Sequence, residues 1–361
     1  MRLPRVGPAA YARFVARFGT PEAVFAAGEE GWRAAGLGPV WVKRLRAPPW
    51  QQVDQDLRWL EAPAHHLLLQ GQPDYPALLA EIPDPPPLLF VTGDPAALHT
   101  PSIAIVGSRR PTPEGQRTAS DFARALARSG LTIASGLAIG IDAAAHEGAL
   151  AAQGSTLAVC GAGPDRIYPA RHAGLARRIV AEGALVTEFP PGTPPLPANF
   201  PRRNRILSGL AHGVLVVEAA ERSGSLITAR LAAEQGREVF AVPGSIRNPL
   251  ARGCHRLLRQ GAVLVETASE VLAELPALGR QLEPASPAPA HVVPAADPTL
   301  SAPARHTLQA MGFEPVSVDV LVARTALTVD ALSSILLELE LQGHVLAIPG
   351  GLYSRVVQGS E

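Results

Sequence analysis

The segment Ile103-Ala104-Ile105-Val106-Gly107-Ser108-Arg109-Arg110, followed by Pro113-Glu114-Gly115, decides the fold. Four consecutive apolar residues with no polar alternation read as a strand covered on both faces, and a proline soon after them reads as the start of a helix. The pattern recurs at Thr132-Ile133-Ala134, Thr156-Leu157-Ala158-Val159, Ala184-Leu185-Val186, Val214-Leu215-Val216-Val217 and Val239-Phe240-Ala241-Val242, with helix-like stretches between. Buried strands alternating with helices predict an α/β fold with a central Rossmann-like, doubly wound and mostly parallel sheet.

Outward from this core, predicted over residues 66–275, the pattern changes on both sides. Residues 1–65 show helical spacings (Tyr11, Phe14, Val15, Phe18, then Val24, Phe25) broken by glycines, and predict a small all-helical domain of the SAM or helix-hairpin-helix kind. The turn Gly36-Leu37-Gly38-Pro39 there has two readings: amides that bind phosphate, or a structural or protein-binding helical cap. Residues 276–303 carry seven prolines among Ala, Ser and Gln, the composition of an extended linker. Over 304–361, apolar spacings in Ser317–Leu327 and Thr328–Gly343, then Val345-Leu346-Ala347-Ile348, a Pro349-Gly350-Gly351 turn and Leu352-Tyr353-Ser354-Arg355-Val356, predict a winged helix. Its second helix carries Asp330, Glu338 and Glu340 and no basic residue, which favours a protein-binding or self-association role over duplex readout.

The 361 residues have a formal net charge of zero, so attraction for a polyanion must come from a local cluster and not from the field of the whole molecule. Positive charge sits almost wholly on arginine, the side chain suited to forked phosphate contacts, since Lys43 is the sole lysine. Cys160 and Cys254 are read as reduced and buried, with no metal site and no cofactor implied. No apolar run is long enough to span a bilayer, so the expected location is the cytoplasm, with no membrane partner.

Candidate binding residues gather where strands end. Gly107, Ser108, Arg109 and Arg110 follow the first core strand, where exposed amides, a helix N-terminus and arginine attract phosphate. A dinucleotide cofactor is disfavoured, because G-x-G-x-x-G is absent and the next strand ends in Ser135-Gly136 where a ribose-binding acid is needed. In Ser135–Asp142, Gly136 and Gly140 permit close approach of another backbone or of a sugar-phosphate. Asp142 and His146 share one helical face and are read as a cap and a packed imidazole. Arg202, Arg203, Asn204 and Arg205 offer three cations and an amide, and Ser223, Gly224 and Ser225 form a third anion-ready turn. Several such corners along one edge suit successive phosphates of a single strand, with Phe200, Tyr168 or Phe189 to stack on bases. No nucleophile stands beside a base, so the protein is expected not to be an enzyme.

Taken in order, Ile105-Val106-Gly107-Ser108-Arg109, Ser135–Asp142 with His146, Tyr168-Pro169, Phe200-Pro201-Arg202-Arg203-Asn204-Arg205-Ile206, Ser223–Ala229 and Ala241-Val242-Pro243-Gly244 closely resemble the DprA/Smf family. The resemblance implies a non-catalytic single-stranded DNA-binding protein that protects incoming DNA in natural transformation and loads a RecA-type recombinase. It further implies a homodimer formed through the Rossmann-like domain and single-strand binding protein as a further partner. Family DNA contacts map onto Arg109 and onto the Arg203 and Arg205 region. Members often carry a lysine directly after Tyr-Pro; here Ala170 and then Arg171 follow, and Arg171 is the candidate replacement. Two competitors stand beside this reading. One is a LOG-type phosphoribohydrolase, whose Pro-Gly-Gly-x-Gly-Thr-x-x-Glu loop is missing here; the other is a pure scaffold.

Overall fold

The computed structural model describes residues 2, 3, 6–275, 300–312, 315–348 and 350–356. The Pro-rich segment predicted over 276–303 falls almost entirely outside the described residues, as does Pro349 of the wing turn.

Five helices open the chain: Pro8–Phe18, Pro21–Ala26, Gly28–Ala34, Pro39–Arg46 and Trp50–Trp59. Three begin on proline, whose fixed φ and missing N–H cost nothing in a first turn. Phe14, Val24, Trp32, Val42 and Leu45 form their core. The Gly36-Leu37-Gly38 turn closes the third helix: the Gly36 and Leu37 N–H groups donate to the Arg33 and Trp32 carbonyls, and Pro39 has no N–H. Two of the amides that a phosphate-binding hairpin needs are therefore already spent.

The central sheet has nine strands: β1 (His65–Leu69), β2 (Leu88–Gly93), β3 (Ser102–Gly107), β4 (Thr132–Ser135), β5 (Thr156–Val159), β6 (Ala184–Thr187), β7 (Gly213–Val217), β8 (Glu238–Ala241) and β9 (Val263–Leu264). Their order is β1-β2-β6-β5-β4-β3-β7-β8-β9. Strands β3 to β9 pair in parallel, while β2 runs antiparallel to β6 and β1 antiparallel to β2. Both faces of β3 are dry. Ile103 and Ile105 pack with Phe122 and Leu126, and Ala104 and Val106 pack in the opposite layer with Leu207 and Leu210. The antiparallel pair and the two-residue β9 extend the expected six-stranded core at its edges.

The order β4-β3-β7-β8 places the site. The chain leaves β3 toward β4 on one side and leaves β7 toward β8 on the other, so the carboxyl ends of β3 and β7 flank the topological switch point where ligands of such sheets collect.

After residue 300 come helix Ala302–Met311, β10 (Val316–Ser317), helices Val318–Thr325 and Val329–Leu341, β11 (Val345–Ile348) and β12 (Leu352–Arg355), with sheet order β10-β12-β11. Ser317 and Thr328 cap the last two helices through the Val320 and Ala331 N–H groups, and Ala326 takes the left-handed turn between them. Leu321, Leu332, Leu336 and Leu339 fill the core. This is the expected winged helix, with an additional leading helix and a short third strand. No single helix among the described residues is long and apolar enough to cross a membrane.

Candidate nucleic-acid interface

Three predicted corners lie at the carboxyl ends of β3, β4 and β7, and in two of them the chain's own carboxylates hold amides. After β3, Ser108 is buried and its N–H donates to the Glu218 carbonyl at 2.6 Å, while its hydroxyl accepts from the Arg110 N–H at 3.0 Å. The Glu218 carboxylate lies across the start of helix Pro113–Arg128 and accepts from the Thr112 N–H at 2.7 Å and the Thr112 hydroxyl at 2.6 Å. After β4, the Gly136 and Ala138 N–H groups both donate to Asp142 Oδ2, at 3.1 and 3.3 Å. After β7, Ser223 Oγ accepts from the Ser225 N–H at 3.3 Å and lies 2.7 Å from the Ser225 hydroxyl. Gly224 is exposed beside them.

The glycines explain how these corners pack. A Cβ on Gly140 would strike the Ser108 carbonyl, one on Gly107 the Val217 carbonyl, so the β3 loop sits directly on its neighbours. A Cβ on Gly136 would stand 2.5 Å from both terminal nitrogens of Arg203 and 2.6 Å from Asp142 Oδ2. Only glycine lets the guanidinium and the carboxylate approach the loop together.

Arginine positions divide sharply. Arg109, Arg110, Arg171 and Arg202 are exposed. Arg203 and Arg205 are buried, 5% and 9% accessible, and Asn204 is half-buried. The sequence reading of three neighbouring cations therefore needs correction. Residues 199–210 are a helix seated in the core, and its periodicity turns Arg202 outward and Arg203 and Arg205 inward. Arg203 donates to the Val159 carbonyl and faces Asp142; Arg205 pairs with buried Glu188 at 2.6 Å and with Asp84 at 3.3 Å. Arg202 stands 3.4 Å from Glu188 and 5.2 Å from the centre of the Phe189 ring. Burial raises the Asp142 and Glu188 carboxyls, against the pull of Arg203 on the first and Arg205 on the second.

Aromatic positions divide likewise. Phe189 is buried and cannot receive a base, whereas Tyr168 is 49% exposed and its ring centre lies 5.5 Å from that of Phe200. Gly161 at the end of β5 makes room for the Phe200 ring, 2.8 Å from where its Cβ would be. The Arg109 guanidinium lies 5.8 Å from the Phe200 centre on the other hand. Arg109, Phe200 and Tyr168 thus form one contiguous cation-aromatic surface along the carboxyl edge, a juxtaposition that the sequence did not specify because the three residues are far apart in the chain.

His146 is fully buried, with Nδ1 2.7 Å from the Thr156 hydroxyl, the packed imidazole expected from the sequence. Burial pushes it down to about 3. The unfolded chain therefore takes up a proton below about pH 6.5 that the folded chain refuses, so this position's stability is complete above that pH and is lost as pH falls toward the folded value. Urea melts at pH 7 and pH 5 should show a smaller loss of stability for His146→Gln than for the wild type; equal losses would exclude His146 as the titrating group.

Among its described residues, the recognition helix of the winged helix presents no comparable surface. Along the outer face of Val329–Leu341 the exposed residues include Asp330, Ser334, Leu337, Glu338 and Leu341, apolar and acidic where a groove-reading helix presents basic groups.

A family model described as DNA recombination-mediator protein A matches residues 66–276, and a DprA winged helix domain model matches residues 287–351. Protein Smf of Escherichia coli strain K12 is 46% identical over 310 residues, spanning 86% of this chain and 82% of that protein. The X-ray structure of DNA processing protein A from Streptococcus pneumoniae superposes with a TM-score of 0.63 at 39% identity, covering 68% of this chain and 86% of that one. The structure of DNA processing protein A from Helicobacter pylori, described for its single-stranded DNA binding mode, gives 0.54 at 29% identity, covering 61% and 97%.

Proposed function

The chain belongs to the DNA recombination-mediator protein A (DprA/Smf) family, and from that premise we propose that it binds single-stranded DNA along the carboxyl edge of the central sheet. The observation that carries the proposal is the exposed Arg109 guanidinium set against Phe200, with Tyr168 beside it. A cation for the backbone next to stacking rings for the bases is the sequence-tolerant arrangement single strands require. We assign exposed Arg171, Arg110 and Arg202 to the same phosphate-binding surface, with Gly224 and Ser223 after β7 as its further end. In this reading Arg203 and Arg205 hold the edge from beneath and do not touch the strand, and the amides at Thr112, Gly136 and Ala138 are not phosphate ligands.

A LOG-type hydrolase is disfavoured on the same ground. The carboxylates of Asp142 and Glu218 are occupied with main-chain N–H groups, and the hydroxyl that Glu218 meets, that of Thr112, is itself the helix cap, accepting from the Gly115 N–H. Loading of a RecA-type recombinase, pairing into a homodimer, contact with single-strand binding protein and a cytoplasmic location come from the family likeness and form part of the same proposal.

Anisotropy titration of a labelled oligothymidylate tests the reading, with affinity expected to fall steeply as salt rises because neutralised phosphates release counterions. Released base on incubation with nucleoside monophosphates would favour the hydrolase instead. Truncation after residue 275 is expected to keep oligothymidylate affinity within roughly threefold, since the acidic winged-helix face supplies no phosphate contacts. A loss as large as that caused by removing Arg109 would place DNA on the winged helix.

A further inference from the structure

We propose that Glu218 is a specificity-determining residue: its carboxylate occupies the switch-point corner and shuts free nucleotides out, so that the sheet edge accepts a strand and not a mononucleotide. This rests on the single-strand reading above and names what that site refuses.

In a doubly wound sheet, the crevice between strands whose connections diverge is where a nucleotide phosphate settles against a helix N-terminus. Here that crevice lies between β3 and β7, and the chain fills it itself. Glu218 Oε2 accepts from the Thr112 N–H at 2.7 Å; Oε1 accepts from the Thr112 hydroxyl at 2.6 Å and from the Asn248 amide at 3.3 Å. Its main-chain carbonyl accepts from the Ser108 N–H. Gly115, in the first turn of the helix, leaves the space the carboxyl group needs, because a Cβ there would collide with it. Glu218 adopts φ 49°, a left-handed conformation rare for a residue other than glycine, which turns its side chain back over the helix start.

A carboxylate so held presents two oxygens and a negative charge to the same donors that a phosphate would use. An arriving phosphate meets like charge at contact distance and finds the Thr112 N–H taken. The cleft that remains alongside, lined by Thr118, Val242, Pro243, Gly244, Ala251 and Cys254, has a volume of about 100 Å³, below the roughly 300–1,000 Å³ of small-molecule sites. The strip of exposed Arg109 and Tyr168 with half-buried Phe200 between them stays open to a polymer. A protein that must find single strands among abundant free nucleotides gains selectivity from such a built-in anion.

The test uses the full chain, with AMP and inorganic phosphate titrated calorimetrically into wild type, Glu218→Ala and Glu218→Ser. Serine serves as the milder substitution should alanine compromise folding. The wild type is expected to show no saturable AMP binding up to millimolar concentration, and the folded variants are expected to bind AMP saturably, with a Kd of about 0.1 mM or below. In parallel, excess AMP is expected to leave the midpoint of oligothymidylate binding to the wild type unchanged. Saturable AMP binding by the wild type with perturbation of the Thr112 amide resonance, or folded variants that gain nothing, would overturn the proposal. Failure of the wild type to bind oligothymidylate would remove the single-strand reading instead, and the AMP comparison would still decide the role of Glu218.

Discussion

Arg109→Ala is expected to weaken oligothymidylate binding about thirtyfold, the worth of a charge-assisted phosphate contact, without moving the thermal midpoint. Arg109 is exposed at the end of β3, and its guanidinium lies over the Phe200 ring. Truncating it leaves buried Asp142 with the stronger of its two cations, Arg203, so the fold has little to lose by it. Arg109→Lys should recover only part of the affinity, because lysine keeps the charge but gives up the flat guanidinium that lies against the ring. Unchanged affinity of the alanine variant, measured by anisotropy on a protein with an unchanged melt, would remove Arg109 from the interface.

The opposite pattern is expected of Arg203, the arginine that sequence alone places beside Arg202. Arg203→Ala should cost about 3–5 kcal/mol of stability, the range for breaking a buried charged pair. Its guanidinium is buried between the Val159 carbonyl and the Asp142 carboxylate, so truncation leaves Asp142 without its cation under the Gly136 loop. DNA affinity of whatever fraction remains folded should fall only as far as the loop shifts. Denaturant melts check the first statement; a variant with wild-type stability would show that Asp142 is neutralised by protonation and does not need Arg203.

These two arginines show what was legible beforehand and what was not. Six core strands were readable because buried parallel strands leave uninterrupted apolar runs, and the winged helix because its apolar spacing and its turn residues agree. β1 and β9 escaped because an edge strand that opens on two histidines or spans two residues carries little pattern, whereas β2 holds the buried run Leu88-Leu89-Phe90-Val91 and was legible by the same rule but not marked. At the site, Gly136 and Gly140 were marked as points of close approach for another backbone or a sugar-phosphate; the Ser108 backbone is what meets Gly140, while Gly136 meets the Arg203 and Asp142 side chains, and Gly107, read only as part of an anion turn, abuts the Val217 carbonyl. The burial of Arg203 and Arg205 follows from how the helix Asn199–Leu210 is set into the sheet, a tertiary fact that a run of charged residues cannot reveal. Glu218 was missed altogether. An acid at a strand end is common, and its left-handed backbone and its place over Thr112 appear only when β3 and β7 are side by side.

Everything functional here depends on the strand lying over Arg109, Phe200 and Tyr168 and held by side chains, with the Thr112, Gly136 and Ala138 amides already satisfied by the chain's own carboxylates. Co-crystallisation with a short oligothymidylate examines this most directly. The expected density has phosphates at Arg109 and Arg171 and a thymine on Phe200 or Tyr168, with the Glu218 and Asp142 carboxylates still bonded to Thr112 and Gly136. A strand seated on the winged helix, or phosphates on those amides after the carboxylates swing away, would contradict it.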